Sequence, residues 1–214
     1  MNRAILLFLK LPEPGRVKTR LAAKVGAERA AQAYRRLVAE VWKRLPDEDD
    51  LIVFFDPPDQ ETEVTAWLRE LLPARRFALL PQSAGDLGIR LTQAFDAVFA
   101  QGCELAAAIG SDCVELTPAH FREAWRELDG ADGVIGPTID GGYYLLALKS
   151  PQPILFNEID WSTGAVFEQT LERARSAGLR LHVLAPLHDV DTVEDWQRAE
   201  MQMRTANPGD EKNC

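Results

Sequence analysis

The chain has 214 residues, 46% hydrophobic and 27% charged, which is enough apolar material for the core of one domain and too little length for a second full one. Its 24 Lys and Arg are outnumbered by 33 Asp and Glu, and the formal net charge of -9 argues against nucleic acid or an anionic membrane surface as the main partner. The three cysteines, Cys103, Cys113 and Cys214, form no CxxC pair, so neither a disulfide framework nor a zinc cluster is indicated.

In chain order, Ala4 to Leu9 (AILLFL) reads as a strand buried on both faces. Lys10 interrupts it too early for a membrane span, and no small-residue cleavage site follows, so a cytoplasmic chain is expected. The next stretch, Lys10 to Arg20, holds two prolines and Gly15, which restrict its shape, and Lys10, Arg16, Lys18 and Arg20, which concentrate positive charge in an acidic protein. Such a loop suits phosphate binding through backbone N–H groups and cationic side chains, although it is neither a Walker A loop nor GxGxxG. The competing reading is an ordinary solvated loop. On the phosphate reading Lys18 and Arg20 are exposed loop charges, so replacing them should weaken triphosphate binding without unfolding the protein.

Apolar residues then recur with helical period from Ala27 to Leu45, Leu51 to Phe55 forms a second strand, Val64 to Leu72 a second helix and Phe77 to Leu80 a third strand. This alternation predicts a three-layer α/β sandwich whose sheet is mostly parallel and Rossmann-like. Gly85 and Gly88 flank Asp86 and Leu87 at the start of the next helical stripe, where they permit close backbone approach. Arg90 can then face a nucleotide phosphate or base; alternatively, Asp86 caps the helix and Arg90 lies in solvent.

Leu105 to Ile109 reads as the central buried strand, with Asp112 just past its carboxyl end, where open α/β sheets bind ligands. A carboxylate there suits magnesium, and capping the following turn is the alternative role. Thr117-Pro118 marks a helix start. The Asp140-Gly141 pair lies between apolar runs, predicting an antiparallel element near 134–148. Asp140, Gly141, Gly142 and Tyr143 either serve the turn alone or let a substrate lie against backbone. Ser162 or Thr163 is expected to cap a helix over 166–174, and Leu179 to Leu184 to be the last long strand. Asp189 and Asp191 precede Thr192 and Asp195, which have capping-box spacing; either earlier acid can complete a metal site begun at Asp112. Residues 1–206 read as one nucleotide-binding domain and 207–214 as a flexible polar tail.

The series KLPEPGRVKTRL (Lys10 to Leu21), GDLGIRL (Gly85 to Leu91), IGSDC (Ile109 to Cys113), GPTIDGGYYL (Gly136 to Leu145), WST (Trp161 to Thr163) and DVDTVED (Asp189 to Asp195) resembles a bacterial family of transferases. That family groups with the nucleotide-diphospho-sugar transferases of glycosyltransferase A fold and carries radical-SAM/selenodomain-associated labels. The first and last motifs are also similar to those of phospholactate guanylyltransferase. The resemblance implies that Gly15, Lys18 and Arg20 hold the nucleotide phosphates, and Lys10, Thr19, Gly85, Asp86 and Arg90 are expected beside them in the nucleotide site. It implies catalytic roles for Lys18, Arg20 and Asp112, and a Mg2+ or Mn2+ ion on Asp112 with Asp189 or Asp191. Asp140, Gly141, Gly142, Tyr143, Ser162 and Thr163 fall to the second substrate. At Asp112 the full Asp-x-Asp motif of such transferases is missing, because Gly110 stands in its first position. Nucleotidyl transfer to a small anionic acceptor is therefore the first expectation. Glycosyl transfer from a nucleotide sugar and a non-catalytic nucleotide-binding module are the alternatives.

Overall fold

Strand β1 (Arg3–Lys10) sends Ile5, Leu7 and Leu9 to one face of the sheet and Ala4 and Leu6 to the other, all of them buried. A strand with both faces covered gives an unbroken apolar run rather than an alternating one. In the computed structural model, residues 2–71 and 74–206 are described. The tail expected over 207–214 lies outside the described residues, as does Leu72 at the end of the second predicted helix.

After β1 come α1 (Thr19–Val25), α2 (Ala27–Lys43), β2 (Asp50–Asp56), α3 (Glu61–Leu71), β3 (Ala78–Pro81), α4 (Leu87–Ala100), β4 (Leu105–Ile109) and α5 (Pro118–Glu127). The chain continues through β5 (Gly133–Pro137), β6 (Tyr143–Leu148), a 3-10 turn at Pro153–Phe156, α6 (Val166–Ser176), β7 (Leu181–Val183) and α7 (Val193–Ala206). The sheet order is β3-β2-β1-β4-β6-β5-β7. All neighbours pair in parallel except those of β6, which runs antiparallel to both β4 and β5. The antiparallel element expected near 134–148 is this β5-β6 hairpin.

Helices α2, α3 and α5 cover one face, while α4, the 3-10 turn and α6 cover the other. Helix α7 lies outside α2, where Val190, Ala199 and Met203 bury Leu37. This is the expected three-layer α/β sandwich, and among the described residues no helix is long and apolar enough to cross a membrane.

Three local expectations differ from what is observed. Helix α1 begins at Thr19, inside the stretch read as loop; Leu21 is its one buried residue, so it carries no recurring apolar stripe. The last strand is shorter than 179–184 because, among the described residues, β7 is an edge strand paired only with β5, and none of its residues is fully buried. Neither Ser162 nor Thr163 caps α6. The cap residue is Ala165, and the Thr163 hydroxyl instead donates to the carbonyl of Asp160.

Candidate functional site

The strand order reverses at β1: β2 and β3 extend from one side, and β4 starts the other. Loops leaving the carboxyl ends of β1 and β4 must diverge there, and the crevice between them is where open α/β sheets receive ligands. A cleft of about 930 Å³ opens at this point. A buried tyrosine joins its two sides: the Tyr34 hydroxyl accepts the Lys10 N–H at 3.0 Å and shares a 2.8 Å hydrogen bond with Ser111 Oγ. Burial holds that phenol above its usual pKa, so it stays neutral.

Lys18 sits at the N-cap of α1 in the left-handed region, with φ 46°. A non-glycine residue there carries strain, which concentrates at functional positions. Its ammonium reaches across the crevice, donating to Asp112 Oδ2 at 2.6 Å and to Asp191 Oδ1 at 3.1 Å. The Lys18 side chain is only 6% exposed, so the expectation of an exposed loop charge fails for it; Arg20, 66% exposed, meets that expectation and donates to Asp191 Oδ2 at 3.0 Å. Burial opposes the Lys18 charge, but the Asp112 and Asp191 carboxylates outweigh it and hold the ammonium above its ordinary pKa.

The loop after β7 is strapped to the hairpin through Leu187, whose N–H donates to Pro137 O and whose carbonyl accepts from Ile139 N–H. That strap carries Asp189 and Asp191 to Asp140, so one oxygen from each of the three lies within 4.8 Å of the others. On the far side, the Glu115 carboxylate accepts the His188 N–H at 3.1 Å. Thr192 and Asp195 form the expected capping box, each accepting from the backbone N–H of the other. The metal expectation paired Asp112 with Asp189 or Asp191; in the fold, Lys18 bridges Asp112 to Asp191, and Asp140 joins the acidic trio. Asp140 was read from its glycine-rich turn as a substrate residue, and no local signal distinguished it as an acid of this cluster. An all-oxygen carboxylate set of this kind suits hard cations such as Mg2+ or Mn2+.

The remaining expected nucleotide residues, Gly85, Asp86 and Arg90, also line the cleft, as do Lys10, Thr19 and Arg20. Gly15 lies in the same loop at φ 83°, though it does not line the cleft. Asp86 caps α4 by accepting the Ile89 N–H. Arg90 is held by Gly85 O and by Gln82 Oε1, while Gln82 Nε2 donates to the carbonyls of Leu9 and Phe54. Gln82 thus anchors Arg90 to the ends of β1 and β2, a role that sequence reading missed because Gln82 belongs to no motif. Asp140, Gly142, Tyr143, Ser162 and Thr163 line the opposite wall, and Gly141 supports that wall from behind.

Gly141 has φ 92°, and a Cβ on it would fall 2.1 Å from Gly164 O. Replacing Gly141 by Ala should therefore cost about 2–4 kcal/mol, or roughly 5–10 °C in melting temperature for a chain of this size, and calorimetry can read it. An unchanged melting temperature would mean that the hairpin and the 161–164 loop are not in backbone contact.

Asp189 has a carboxyl pushed up to about 7, by burial first and then by the charges of Asp112, Asp140 and Asp191, with Lys18 opposing them. Because the folded state holds this proton more tightly than the unfolded chain does, the group favours folding below the ordinary carboxylate range and loses that contribution as pH rises towards 7. In metal-free buffer, Asp189→Asn should melt a few degrees above the parent at pH 8, with the gap closing towards pH 4. A gap independent of pH would show that Asp189 is not electrostatically strained.

The family model DUF2064, described as "Uncharacterized protein conserved in bacteria", matches residues 21–163. The chain belongs to the DUF2064 family. No curated protein matches it closely enough in sequence to count as a relative. Among solved structures, the family member resembles a protein of Desulfovibrio desulfuricans G20 assigned as a nucleotide-diphospho-sugar transferase, at 33% identity and TM-score 0.83 over 98% of this chain and 90% of that one. A CMP:2-keto-3-deoxy-manno-octonic acid synthetase complexed with CTP is 11% identical, with TM-score 0.59 over 96% of this chain and 100% of the other. Rv0371c of Mycobacterium tuberculosis H37Rv, in complex with manganese, is 15% identical, with TM-score 0.50 over 93% and 98%. The last two share the fold. This DUF2064 chain therefore has the transferase-type α/β fold of nucleotide-diphospho-sugar transferases over nearly its whole length.

Proposed function

We propose that the chain is a divalent-metal-dependent transferase using a nucleoside triphosphate or a nucleotide sugar, with nucleotidyl transfer to a small acceptor as the first reading. The observation that carries this is the meeting, at the reversal of strand order, of a basic loop and an acidic trio: Lys18 and Arg20 face Asp191, beside Asp140 and Asp189. CTP in the synthetase structure and manganese in the Rv0371c structure support the same ligand classes here.

In this reading Asp189 and Asp191, with Asp140 or Asp112, hold the ion, which would neutralise phosphate charge when bound. Lys18, Arg20 and the backbone N–H groups of the loop hold the phosphates. Arg90, fixed by Gln82, closes the nucleotide end of the cleft. The acceptor oxygen attacks the α-phosphorus, the bond from that phosphorus to the bridging oxygen breaks, and pyrophosphate leaves with the bonding electrons. The acceptor's proton passes to solvent or to a cleft carboxylate.

The D. desulfuricans relative favours glycosyl transfer as a second reading, in which a nucleoside diphosphate leaves an anomeric carbon instead. The two readings separate on products. A thermal-shift screen of nucleoside triphosphates and nucleotide sugars with and without Mn2+ finds the donor, because selective ligands raise the melting temperature. Pyrophosphate release from the best donor then identifies nucleotidyl transfer, and diphosphate release from a nucleotide sugar identifies glycosyl transfer. No stabilisation by any nucleotide, with metal present, would overturn the reading.

A further inference from the structure

The cleft is electrically one-sided. Its cationic side chains are Lys10 at the end of β1, Arg16, Lys18 and Arg20 from the stretch after it, and Arg90 from α4. Among the described residues, the opposite wall, formed by the 138–143 hairpin and the 161–164 loop, brings no cation to the cleft. It brings hydroxyls, an indole, glycine backbone and the carboxylate of Asp140. Recognition of phosphate or carboxylate normally uses an Arg, a Lys or a cluster of free N–H groups. This wall instead carries Asp140, one of the acidic trio, and faces the other two, Asp189 and Asp191.

The wall is also built rather than loose. Gly88 leaves room on α4 for Trp161, since a Cβ there would lie 2.9 Å from the indole nitrogen and 2.9 Å from Phe156 O. Gly141 and Gly164 meet backbone to backbone, and the Phe167 N–H donates to Gly141 O at 2.9 Å. Tyr143 lines the cleft, and its hydroxyl is buried with no hydrogen-bond partner among the described residues. A buried hydroxyl without a protein partner is uncommon in a folded protein and leaves a donor free for a water or a ligand hydroxyl. Ser162, in the left-handed region at φ 65°, lines the same wall.

We propose that this wall is the acceptor subsite and that it takes an uncharged, hydroxyl-rich molecule of the sugar or polyol class, with Trp161 covering its apolar C–H face and Tyr143 bonding one of its hydroxyls. The proposal rests on the transferase reading above and replaces the anionic acceptor expected from sequence. An indole stacks against C–H surface while its rim remains polar, which suits a molecule with an apolar face and a hydroxyl edge. Selectivity against anionic analogues comes from the missing cation and from the Asp140 carboxylate on the wall itself.

The test uses the full chain with Mn2+ and saturating donor nucleotide, and reads binding of glucose and glucose 6-phosphate by saturation-transfer NMR. Glucose is expected to bind at least about tenfold more tightly than glucose 6-phosphate, the ratio set by placing an unpaired charge in a neutral site. Trp161→Ala and Tyr143→Phe should each weaken glucose binding severalfold and leave the nucleotide-induced rise in melting temperature unchanged. Ser162→Lys should shift preference towards the phosphorylated probe, which keeps the test informative if the aromatic variants fold poorly. Equal or tighter binding of glucose 6-phosphate, or no sugar binding by a chain that still binds nucleotide, would overturn the proposal. Absence of nucleotide binding would instead overturn the transferase reading beneath it.

Discussion

Replacing Asp191 by Asn is expected to lower metal-dependent turnover by roughly a thousandfold and Mn2+ affinity in the presence of nucleotide by about a hundredfold or more. Asp191 holds three relationships at once: it accepts from Lys18 through one oxygen, from Arg20 through the other, and stands in the acidic trio with Asp140 and Asp189. Asn preserves the shape but offers one neutral oxygen where a carboxylate offered two. The charge that draws a hard cation is therefore lost, and the two basic side chains lose their common anchor. Folding should be little affected, because removing one acid also relieves the repulsion that raises Asp189. Calorimetric titration with Mn2+ and a turnover assay on the same preparation decide the matter. Full activity with unchanged metal affinity would remove Asp191 from the site.

The second large effect is expected at Lys18. Lys18→Ala should weaken nucleotide binding about tenfold to a hundredfold, the range of a charge-assisted phosphate contact. It should also destabilise the metal-free protein. The removed ammonium is buried, and its loss leaves Asp112 and Asp191 facing each other across the crevice. A fully buried pair broken on one side costs about 3–5 kcal/mol. Here the carboxylates are 31% and 36% exposed, so solvent screens them and about 1–2 kcal/mol is the expected loss. Mn2+ should restore most of it by neutralising the same acids. Because residue 18 is left-handed, Lys18→Asn is the better control, since Asn tolerates that conformation. A variant that binds nucleotide normally would assign Lys18 to structure alone.

These two residues also mark how far the sequence carries. A basic, proline-restricted loop in an acidic chain is visible as a violation of its surroundings, and so Lys18 and Arg20 stood out. Asp112 stood out because a strand of small apolar residues ends just before it. Both signals are local, and both landed on the cleft. Gln82 and Tyr34 did not stand out: a glutamine after a short strand and a tyrosine on a helical stripe look ordinary until their partners, Leu9, Phe54, Lys10 and Ser111, are brought beside them.

The sequence by itself determined the class of fold, because unbroken apolar runs alternating with helical stripes leave few arrangements other than a covered, mostly parallel sheet. It likewise determined the hairpin at β5-β6 and the helix starts at Thr117 and Thr192, each a matter of a few neighbouring residues. Only the tertiary structure decided which acids stand together. The strap through Leu187 joins Asp189 and Asp191 to Asp140, and the order β3-β2-β1-β4 brings Lys18 against Asp112. Spacing along the chain carries no record of such meetings, since the strap through Leu187 is made of backbone hydrogen bonds that almost any sequence could supply, and the strand order that sets Lys18 beside Asp112 follows from the packed core beneath.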